Sequence, residues 1–218
     1  MATPTPTLDP AELPRFVAVE GPIGVGKTTL ARRLSESFRY PILLEPADEN
    51  PFLDRFYREG GRHALPTQLY FLLHRARQLA QLGEGDLFHP VLVADFLIQK
   101  DRLFAQITLD ANELILYDQI YQKLAINTPT PDLVVYLQAP ADVLIERIRR
   151  RGIASEQHIT HDYLAALIDA YTRFFHFYDD APLLIVNAAE IDFAIVQKLV
   201  EFSGEQRDPS QAVPAEQH

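Results

Sequence analysis

The chain has 218 residues, which is enough for one domain with a sizeable core and short for two. Apolar residues make up 47% and charged residues 23%, as in an ordinary globular protein, and the net charge of −10 argues against binding to nucleic acid polymers or anionic membranes. No stretch approaches the roughly 20 apolar residues of a membrane span, and the lack of cysteine excludes disulfides and thiol catalysis and fits a cytoplasmic protein.

The two ends of the chain differ in composition from its middle. Residues 1–14 are rich in threonine and proline and lack the basic and apolar regions of a secretory signal. Residues 203–218 are polar and contain two prolines. Both ends are therefore predicted to be disordered tails, and residues 15–202, which contain no repeat or linker, are predicted to form one domain.

Between the tails, five short apolar runs alternate with helical patterns. The runs are FVAVE (16–20), PILLE (41–45), PVLVAD (90–95), DLVVYL (132–137) and LLIVN (183–187). Such near-continuous runs are typical of parallel strands that are covered on both faces. The helical faces are Leu30, Leu34 and Phe38; Leu69, Leu72, Leu73, Ala76 and Leu79; Leu144, Ile145 and Ile148; and residues 161–178. The alternation predicts an α/β fold with a parallel sheet of about five strands flanked by helices, with ligands bound at the carboxyl ends of the strands.

The first apolar run leads directly into a phosphate-binding loop. The sequence GPIGVGKT at 21–28 fits G-x-x-x-x-G-K-[ST], follows a predicted strand and opens a predicted helix. Backbone N–H groups of the loop would surround the phosphates of ATP, Lys27 would reach the β- and γ-phosphates, and the Thr28 hydroxyl would bind Mg²⁺. The residues predicted to bind the nucleotide here are Gly21, Gly24, Gly26, Lys27, Thr28 and Thr29.

Acidic residues end the next two apolar runs. Glu45 closes the second run and Asp95 closes the third. Because the carboxyl ends of parallel strands meet at one edge of the sheet, both side chains are expected beside the phosphate loop. A kinase that acts on a hydroxyl group needs one carboxylate to accept its proton and another near Mg²⁺. Glu45 and Asp95 are therefore candidates for these two roles.

An arginine-rich segment follows the fourth run. The sequence ERIRRRG (146–152) contains Arg147, Arg149, Arg150 and Arg151 where a predicted helix ends at a glycine. Cations are favourable at a helix C-terminus in any protein. The functional interpretation is an arginine-rich lid whose guanidinium groups close over the transferring phosphates.

Together these motifs resemble the deoxynucleoside kinase family. The matching segments are GPIGVGKTT, LLEPADENPFLDRFY, QLYFLLHRARQ, DFLIQKDRLFA, PDLVVYL, RIRRRG with a glutamate four residues later, and YLAALIDAYTRFF. They span about residues 15–190 and are most similar to the bacterial branch that acts on deoxyadenosine or deoxyguanosine. The resemblance implies phosphorylation of the 5′-hydroxyl of a deoxyribonucleoside by ATP and Mg²⁺, with a purine base preferred, in a homodimer.

The resemblance also assigns roles at the phosphate end. It makes Glu45 the general base toward the 5′-hydroxyl and Asp95 the acidic residue near Mg²⁺. It makes Arg147 and Arg151 lid arginines that contact ATP, and it places Arg151 with Lys27 among the catalytic groups.

The resemblance further assigns the nucleoside end. Tyr57 and Glu156 would hold the sugar 3′-hydroxyl, Gln68 would pair with the edge of the base, and Arg75 and Asp101 would shape the base pocket. A tyrosine hydroxyl and a carboxylate can donate to and accept from one hydroxyl group, which gives the sugar assignment a physical basis. Phenylalanines are candidates for an apolar wall against the base, namely Phe52, Phe56 and Phe71.

Two positions depart from the family's pattern. Members of the family commonly have an arginine directly after the acidic residue of the third strand, and this chain has Phe96 there. Many members have a further lid arginine where this chain has Ile153, so Arg149 or Arg150 is expected to compensate. Two alternatives stay open from the residues alone: a nucleoside monophosphate kinase of the thymidylate kinase type, and a nucleotide-binding regulator without catalysis.

Overall fold

The computed structural model describes residues 14–80, 91–124 and 129–190, together with Val196, Lys198 and Val200. The predicted tails lie outside these residues except for Pro14, so the tail boundaries remain predictions. Across the described part of the chain, every helix is too short or too polar to span a membrane.

The centre of the fold is one five-stranded parallel sheet. Its strands are β1 (Phe16–Glu20), β2 (Ile42–Leu43), β3 (Leu92–Ala94), β4 (Leu133–Gln138) and β5 (Leu183–Asn187). They lie in the order β2-β3-β1-β4-β5, and each neighbouring pair is parallel. All five predicted strands are confirmed, although β2 and β3 are shorter than the apolar runs that predicted them.

Seven α-helices lie wholly within the described residues. They are α1 (Lys27–Phe38), α2 (Leu53–Glu59), α3 (Ala64–Ala80), α4 (Lys100–Thr108), α5 (Ala111–Leu124), α6 (Ala141–Arg151) and α7 (His161–His176). The four predicted helical faces belong to α1, α3, α6 and α7. Helices α2, α4 and α5 were not predicted, although a capping box begins α5: the Asp110 carboxylate accepts from the backbone N–H groups of Asn112 and Glu113, and Glu113 accepts from that of Asp110.

Apolar side chains cover both faces of the sheet. Along β1, Val17 and Val19 point to the core formed with α1 and α6, whereas Phe16 and Ala18 point to the core formed with α4 and α7. All five residues of β1 are buried. This explains why the strand reads as a continuous apolar run and not as an alternating one.

The strand order places a crevice at the phosphate loop. From β1 the chain moves to β2 and β3 on one side, and it then crosses to β4 and β5 on the other side. The carboxyl end of β1 is therefore a topological switch point, where adjacent connections diverge and leave space for a ligand. The loop of residues 21–26 begins at this point and ends at α1.

Helix α3 lies in the wall of this crevice with a face that differs from the predicted one. Leu72 and Leu79 are buried as expected, but Leu73 is 42% exposed. The helix instead buries the polar residues Gln68 and Arg75. The apolar spacing was misleading because part of the buried face of this helix carries site residues.

Candidate active site

The carboxyl ends of β1, β2 and β3 border a crevice of about 730 Å³. This volume includes space that is open to solvent. Most of the predicted site residues line it, namely Gly24, Lys27, Thr28, Glu45, Tyr57, Gln68, Arg75, Asp95, Arg151 and Glu156. The remaining ones do not line it: Gly21, Gly26, Thr29, Asp101 and Arg147.

Glycine is required by geometry at two points of the phosphate loop. A Cβ atom at Gly21 would lie 2.3 Å from the carbonyl oxygen of Leu137, so β4 leaves no room for a side chain. Gly24 has a φ of 83°, in the left-handed region, and a Cβ there would lie 2.9 Å from Ile148 of α6. The loop is thus fitted closely between the sheet and α6.

The lysine of the loop is folded back onto its own backbone. Lys27 Nζ donates to the carbonyl oxygens of Gly21 at 2.7 Å and Pro22 at 3.2 Å. Burial, followed by the neighbouring Lys100 ammonium, lowers the pKa of Lys27 to about 8. The group is still mainly protonated at neutral pH, so it brings a positive charge to the loop.

The first turn of α1 is linked to the ends of β2 and β3 by Asp95. The Thr28 hydroxyl donates to Asp95 Oδ2 at 2.6 Å, and the backbone N–H of Glu45 donates to Asp95 Oδ1 at 2.7 Å. Burial raises the pKa of the Asp95 carboxyl, an effect that the Thr28 hydrogen bond opposes. Hydroxyl and carboxylate oxygens are ligands that Mg²⁺ accepts, usually beside phosphate oxygens and water, so this pair fits a magnesium–nucleotide site.

The Glu45 carboxylate is placed between two cations. Its Oε1 atom forms an ion pair with Arg75, and its Oε2 atom lies 3.6 Å from Lys100 Nζ. The other end of the Arg75 guanidinium pairs with Asp101, which is buried. The predicted pairing of Arg75 with Asp101 is therefore present, and the structure adds the contact between Arg75 and the candidate base.

The aromatic residue that follows Asp95 belongs to the core. Phe96 is buried in a cluster with Leu79 and Ile98, and Leu43 packs against that cluster. The guanidinium carbon of Arg75 lies 5.7 Å from the centre of the Phe96 ring, within cation–π range. At the position where family members commonly have an arginine, this chain thus has an uncharged aromatic ring that faces the Arg75 guanidinium.

Tyr57, Arg151 and Glu156 lie together at another part of the crevice wall. Glu156 forms an ion pair with Arg151 and is itself buried. Burial, together with Tyr163 and Glu156, raises the pKa of Tyr57 well above its ordinary value, so the phenol keeps its proton. One protonated hydroxyl and one carboxylate can bind the same ligand hydroxyl group from two sides.

An amide and several apolar side chains complete the wall. Gln68 and Phe71 of α3 line the crevice, as do Leu53 of α2 and Phe104 of α4. Of the other two candidate wall residues, Phe56 is buried against Tyr57 and Tyr163 in a separate cluster, and Phe52 precedes α2 without lining the crevice. A flat aromatic ligand would meet an apolar surface and one side-chain amide here.

The arginines of α6 have different surroundings. Arg147 donates to the carbonyl oxygens of Val25 at 3.3 Å and Ala188 at 2.7 Å, which ties the phosphate loop to the segment after β5. Arg149 and Arg150 are exposed in the last turn, and Ile153 is 42% exposed beyond the helix end at Gly152. The arginine-rich lid therefore remains a prediction.

Sequence reasoning missed a buried carboxylate at the end of β1. Glu20 is 0% exposed and accepts from the backbone N–H groups of Gly21 and Leu97 at 2.8 and 2.9 Å. It also accepts from Tyr171 Oη at 2.8 Å and Lys100 Nζ at 3.3 Å. An acidic residue as the last member of a buried strand was the available signal. Glu20 connects the phosphate loop with the residues after β3 and with α4 and α7.

Replacing Glu20 with glutamine is expected to destabilise the fold by about 3–5 kcal/mol, the usual cost of removing one partner of a buried ion pair. Urea unfolding measures this loss, and Glu36→Gln on the exposed side of α1 is the matched control. A Glu20→Gln protein as stable as the control would show that the buried pair contributes nothing.

Comparison with known proteins identifies the family. The model of the deoxynucleoside kinase family matches residues 17–201. The deoxyguanosine kinase of Bacillus subtilis is 39% identical, and the match covers 72% of this chain and 76% of that protein. The deoxyadenosine kinase of Lactobacillus acidophilus is 29% identical, and the match covers 82% of this chain and 88% of that protein. A solved structure of deoxyadenosine kinase from M. mycoides with bound dATP has a TM-score of 0.74 and 27% identity, and the match covers 85% of this chain and 96% of that one. The chain therefore belongs to the deoxynucleoside kinases, transferases whose acceptor is a hydroxyl group.

Proposed function

We propose that this enzyme transfers the γ-phosphate of ATP to the 5′-hydroxyl of a purine deoxyribonucleoside and forms the 5′-monophosphate and ADP. The observation that carries the proposal is that residues of the phosphate loop and residues suited to a nucleoside line one crevice. Lys27 and Thr28 lie in its wall at the phosphate loop, and Tyr57 and Glu156 lie in its wall with groups suited to a sugar hydroxyl. Glu45 lines the same crevice.

In the proposed reaction, the Glu45 carboxylate accepts the proton of the 5′-hydroxyl. The hydroxyl oxygen forms a bond to the γ-phosphorus, the bond from this phosphorus to the bridging oxygen breaks, and the electron pair leaves with ADP. The Lys27 ammonium stabilises the charge on the phosphates. Thr28 and Asp95 are the residues that would hold Mg²⁺, which supplies further positive charge to the phosphates when it is bound.

The arginines of α6 take two roles in this proposal. Arg151 lines the crevice and pairs with Glu156, so it connects the phosphate and sugar sides of the site. Arg147 holds the carbonyl group of Val25 within the loop, which supports a role in shaping the ATP site. A closed lid would bring further guanidinium groups toward the phosphates.

A nucleoside fits the acceptor side of the crevice better than a nucleoside monophosphate. An acceptor phosphate needs cations that are free to bind it. Among the lining residues that the structure describes, Arg75, Lys100 and Arg151 each pair with a carboxylate group.

A regulator without catalysis is disfavoured because Lys27, Glu45 and Asp95 all line the crevice.

Removing the 3′-hydroxyl of the substrate is expected to lower kcat/KM by about 5- to 150-fold. The loss would leave Tyr57 and Glu156 partly unpaired in a closed site, at a cost of about 1–3 kcal/mol. The measurement compares each deoxynucleoside with its 2′,3′-dideoxy analogue. In a Tyr57→Phe variant the difference should shrink, because half of the proposed hydroxyl site is already absent. Equal kcat/KM values for the two substrates of the unaltered enzyme would refute the sugar-binding roles.

The preference for a purine rests on the base side of the crevice. Gln68 offers both a donor and an acceptor, and Arg75 adds donors, which suits the mixed edge of adenine or guanine. Asp101 would act by fixing Arg75. The similarity to a deoxyguanosine kinase and a deoxyadenosine kinase supports the same choice.

We also propose that the enzyme is a cytoplasmic homodimer. Apolar side chains are exposed on neighbouring helices, with Leu73 on α3 at 42%, and Ile115 and Leu116 on α5 at 59% and 46%. A second copy of the chain would cover them. Light scattering should give twice the mass of the 24.8 kDa chain. Ile115→Glu should shift the protein toward the monomer, and a monomeric unaltered protein would contradict the proposal.

A further inference from the structure

Tyr117 is a buried polar side chain that the proposed reaction does not use. It lies on α5, is 0% exposed and packs in one cluster with Leu72 of α3 and Ala105 of α4. Its hydroxyl oxygen is buried and has no hydrogen-bond partner among the residues that the structure describes. A buried hydroxyl without a partner costs free energy, and native proteins keep few such groups, so this one requires an explanation.

The packing places Tyr117 behind the base side of the crevice. Leu72 lies three residues before Arg75 on the buried face of α3, and Ala105 lies four residues after Asp101 on the buried face of α4. Burial raises the pKa of the Tyr117 phenol, and the positive charge of Arg75 opposes this rise. The phenol therefore keeps its proton at neutral pH and has it to donate.

The Asp101 carboxylate has the opposite need. It is 1% exposed and pairs with Arg75, but neither of its oxygens accepts any other hydrogen bond within the described part of the chain. A buried ion pair is stable only when further hydrogen bonds satisfy its remaining lone pairs. The Arg75 guanidinium is also shared with Glu45. A donor without an acceptor and an acceptor with one partner thus lie on helices α5 and α4, which contact each other.

We propose that Tyr117 is a positioning residue that sets base specificity, because its hydroxyl donates to Asp101 when a deoxynucleoside engages Arg75. A base that accepts a hydrogen bond from Arg75 draws the guanidinium toward the crevice and weakens its pairing with Asp101. The phenol then supplies the donor that Asp101 has lost. A base that does not contact Arg75 gains nothing from Tyr117. This inference rests on the proposed role of Arg75 and Asp101 in the base pocket.

The test is Tyr117→Phe, which keeps the ring and its packing and removes only the hydroxyl. Without substrate, urea unfolding should find the variant at least as stable as the unaltered enzyme, because the lost hydroxyl had no partner. With substrate, kcat/KM for the preferred deoxynucleoside should fall about fivefold or more, the usual scale for one hydrogen bond to a charged group. The other deoxynucleosides should lose less, so the preference narrows, and the KM for ATP should stay the same.

Tyr121→Phe is the matched control. Tyr121 lies one turn later on α5 and stacks on Tyr117 with 6.2 Å between the ring centres. The charged groups that act on its phenol are Arg102, Asp118 and Asp180. Loss of this hydroxyl should leave the ranking of the four deoxynucleosides unchanged.

A double variant tests whether Tyr117 acts through Asp101. Asp101→Asn should itself change the ranking, and adding Tyr117→Phe to it should change the ranking little further. An equal additional change in the double variant would overturn the inference. So would an unchanged ranking in Tyr117→Phe, or a Tyr117→Phe protein that is less stable or unfolded and loses activity evenly, since a structural hydroxyl behaves in that way. An unchanged ranking in Asp101→Asn would instead refute the proposed base pocket.

Discussion

Replacing Lys27 with alanine is expected to abolish measurable turnover with every acceptor, a loss of about 10²–10³-fold or more. The ammonium is partly buried at the phosphate loop, where desolvation and Lys100 lower its pKa to about 8 without removing its charge at neutral pH. A positive charge in such a low-dielectric site stabilises the developing phosphate charge much more than it would in water.

The control for this variant is another lysine-to-alanine change. Lys123 is exposed on α5, and Lys123→Ala should keep the activity of the unaltered enzyme. Because Lys27 also bonds to the carbonyl groups of Gly21 and Pro22, urea unfolding should be measured in parallel. A folded Lys27→Ala enzyme with activity within about threefold of the original would contradict the phosphate-loop assignment.

The second large effect is expected at Glu45. Glutamine in its place should lower kcat by about 10²-fold or more, with little change in ATP binding, since a positioned base contributes about 10²–10⁴-fold. Glutamine keeps the shape of the side chain but cannot take up the proton of the 5′-hydroxyl. The substitution also removes the ion pair between residue 45 and Arg75, so it changes the charge of the crevice wall as well as the proposed general base.

A nearby glutamate provides the matched control. Glu49 is exposed in the short helix Ala47–Glu49, and Glu49→Gln should leave kcat nearly unchanged. Rates at saturating deoxynucleoside, measured over a range of ATP concentrations, separate kcat from the ATP KM. If kcat survives in Glu45→Gln and only the ATP KM rises, Glu45 is not the base.

The parts of this fold that depend on local sequence could be predicted from it. The five strands read as apolar runs because the sheet is covered on both faces, and the phosphate loop is a contiguous motif between β1 and α1. Glu45 and Asp95 were expected at one edge because parallel strands end there, and Asp95 indeed accepts from both Thr28 and the backbone of Glu45.

Pairings between distant segments could not be read from spacing. Glu20 and Lys100 are 80 positions apart and look like a strand end and a surface lysine until the fold brings them together. Likewise, Arg75 contacts both Glu45 and Asp101, a geometry that depends on how α3 and α4 cross. The family resemblance placed Arg75 and Asp101 in one pocket, but it did not indicate that Arg75 and Lys100 both contact the Glu45 carboxylate.

Helix α5 shows a signal that was present but not used. Leu114, Tyr117, Tyr121 and Leu124 recur at spacings of three and four residues after the capping box, and all four belong to one cluster in which Tyr117 is fully buried. Its neighbours Ile115 and Leu116 are apolar and exposed, which blurs the periodicity of the helix. The same exposed residues support the proposed dimer.

The most direct test of the central claim is an acceptor assay with ATP and Mg²⁺. The four natural deoxynucleosides and their 5′-monophosphates are supplied at matched concentrations, and the formation of ADP and of the phosphorylated product is measured. We expect the deoxynucleosides to be phosphorylated at the 5′-hydroxyl, with deoxyadenosine or deoxyguanosine giving the highest kcat/KM, and the monophosphates to be poor acceptors. Higher efficiency with thymidine or deoxycytidine than with both purines would contradict the proposed base preference, and phosphorylation of the monophosphates alone would contradict the central claim.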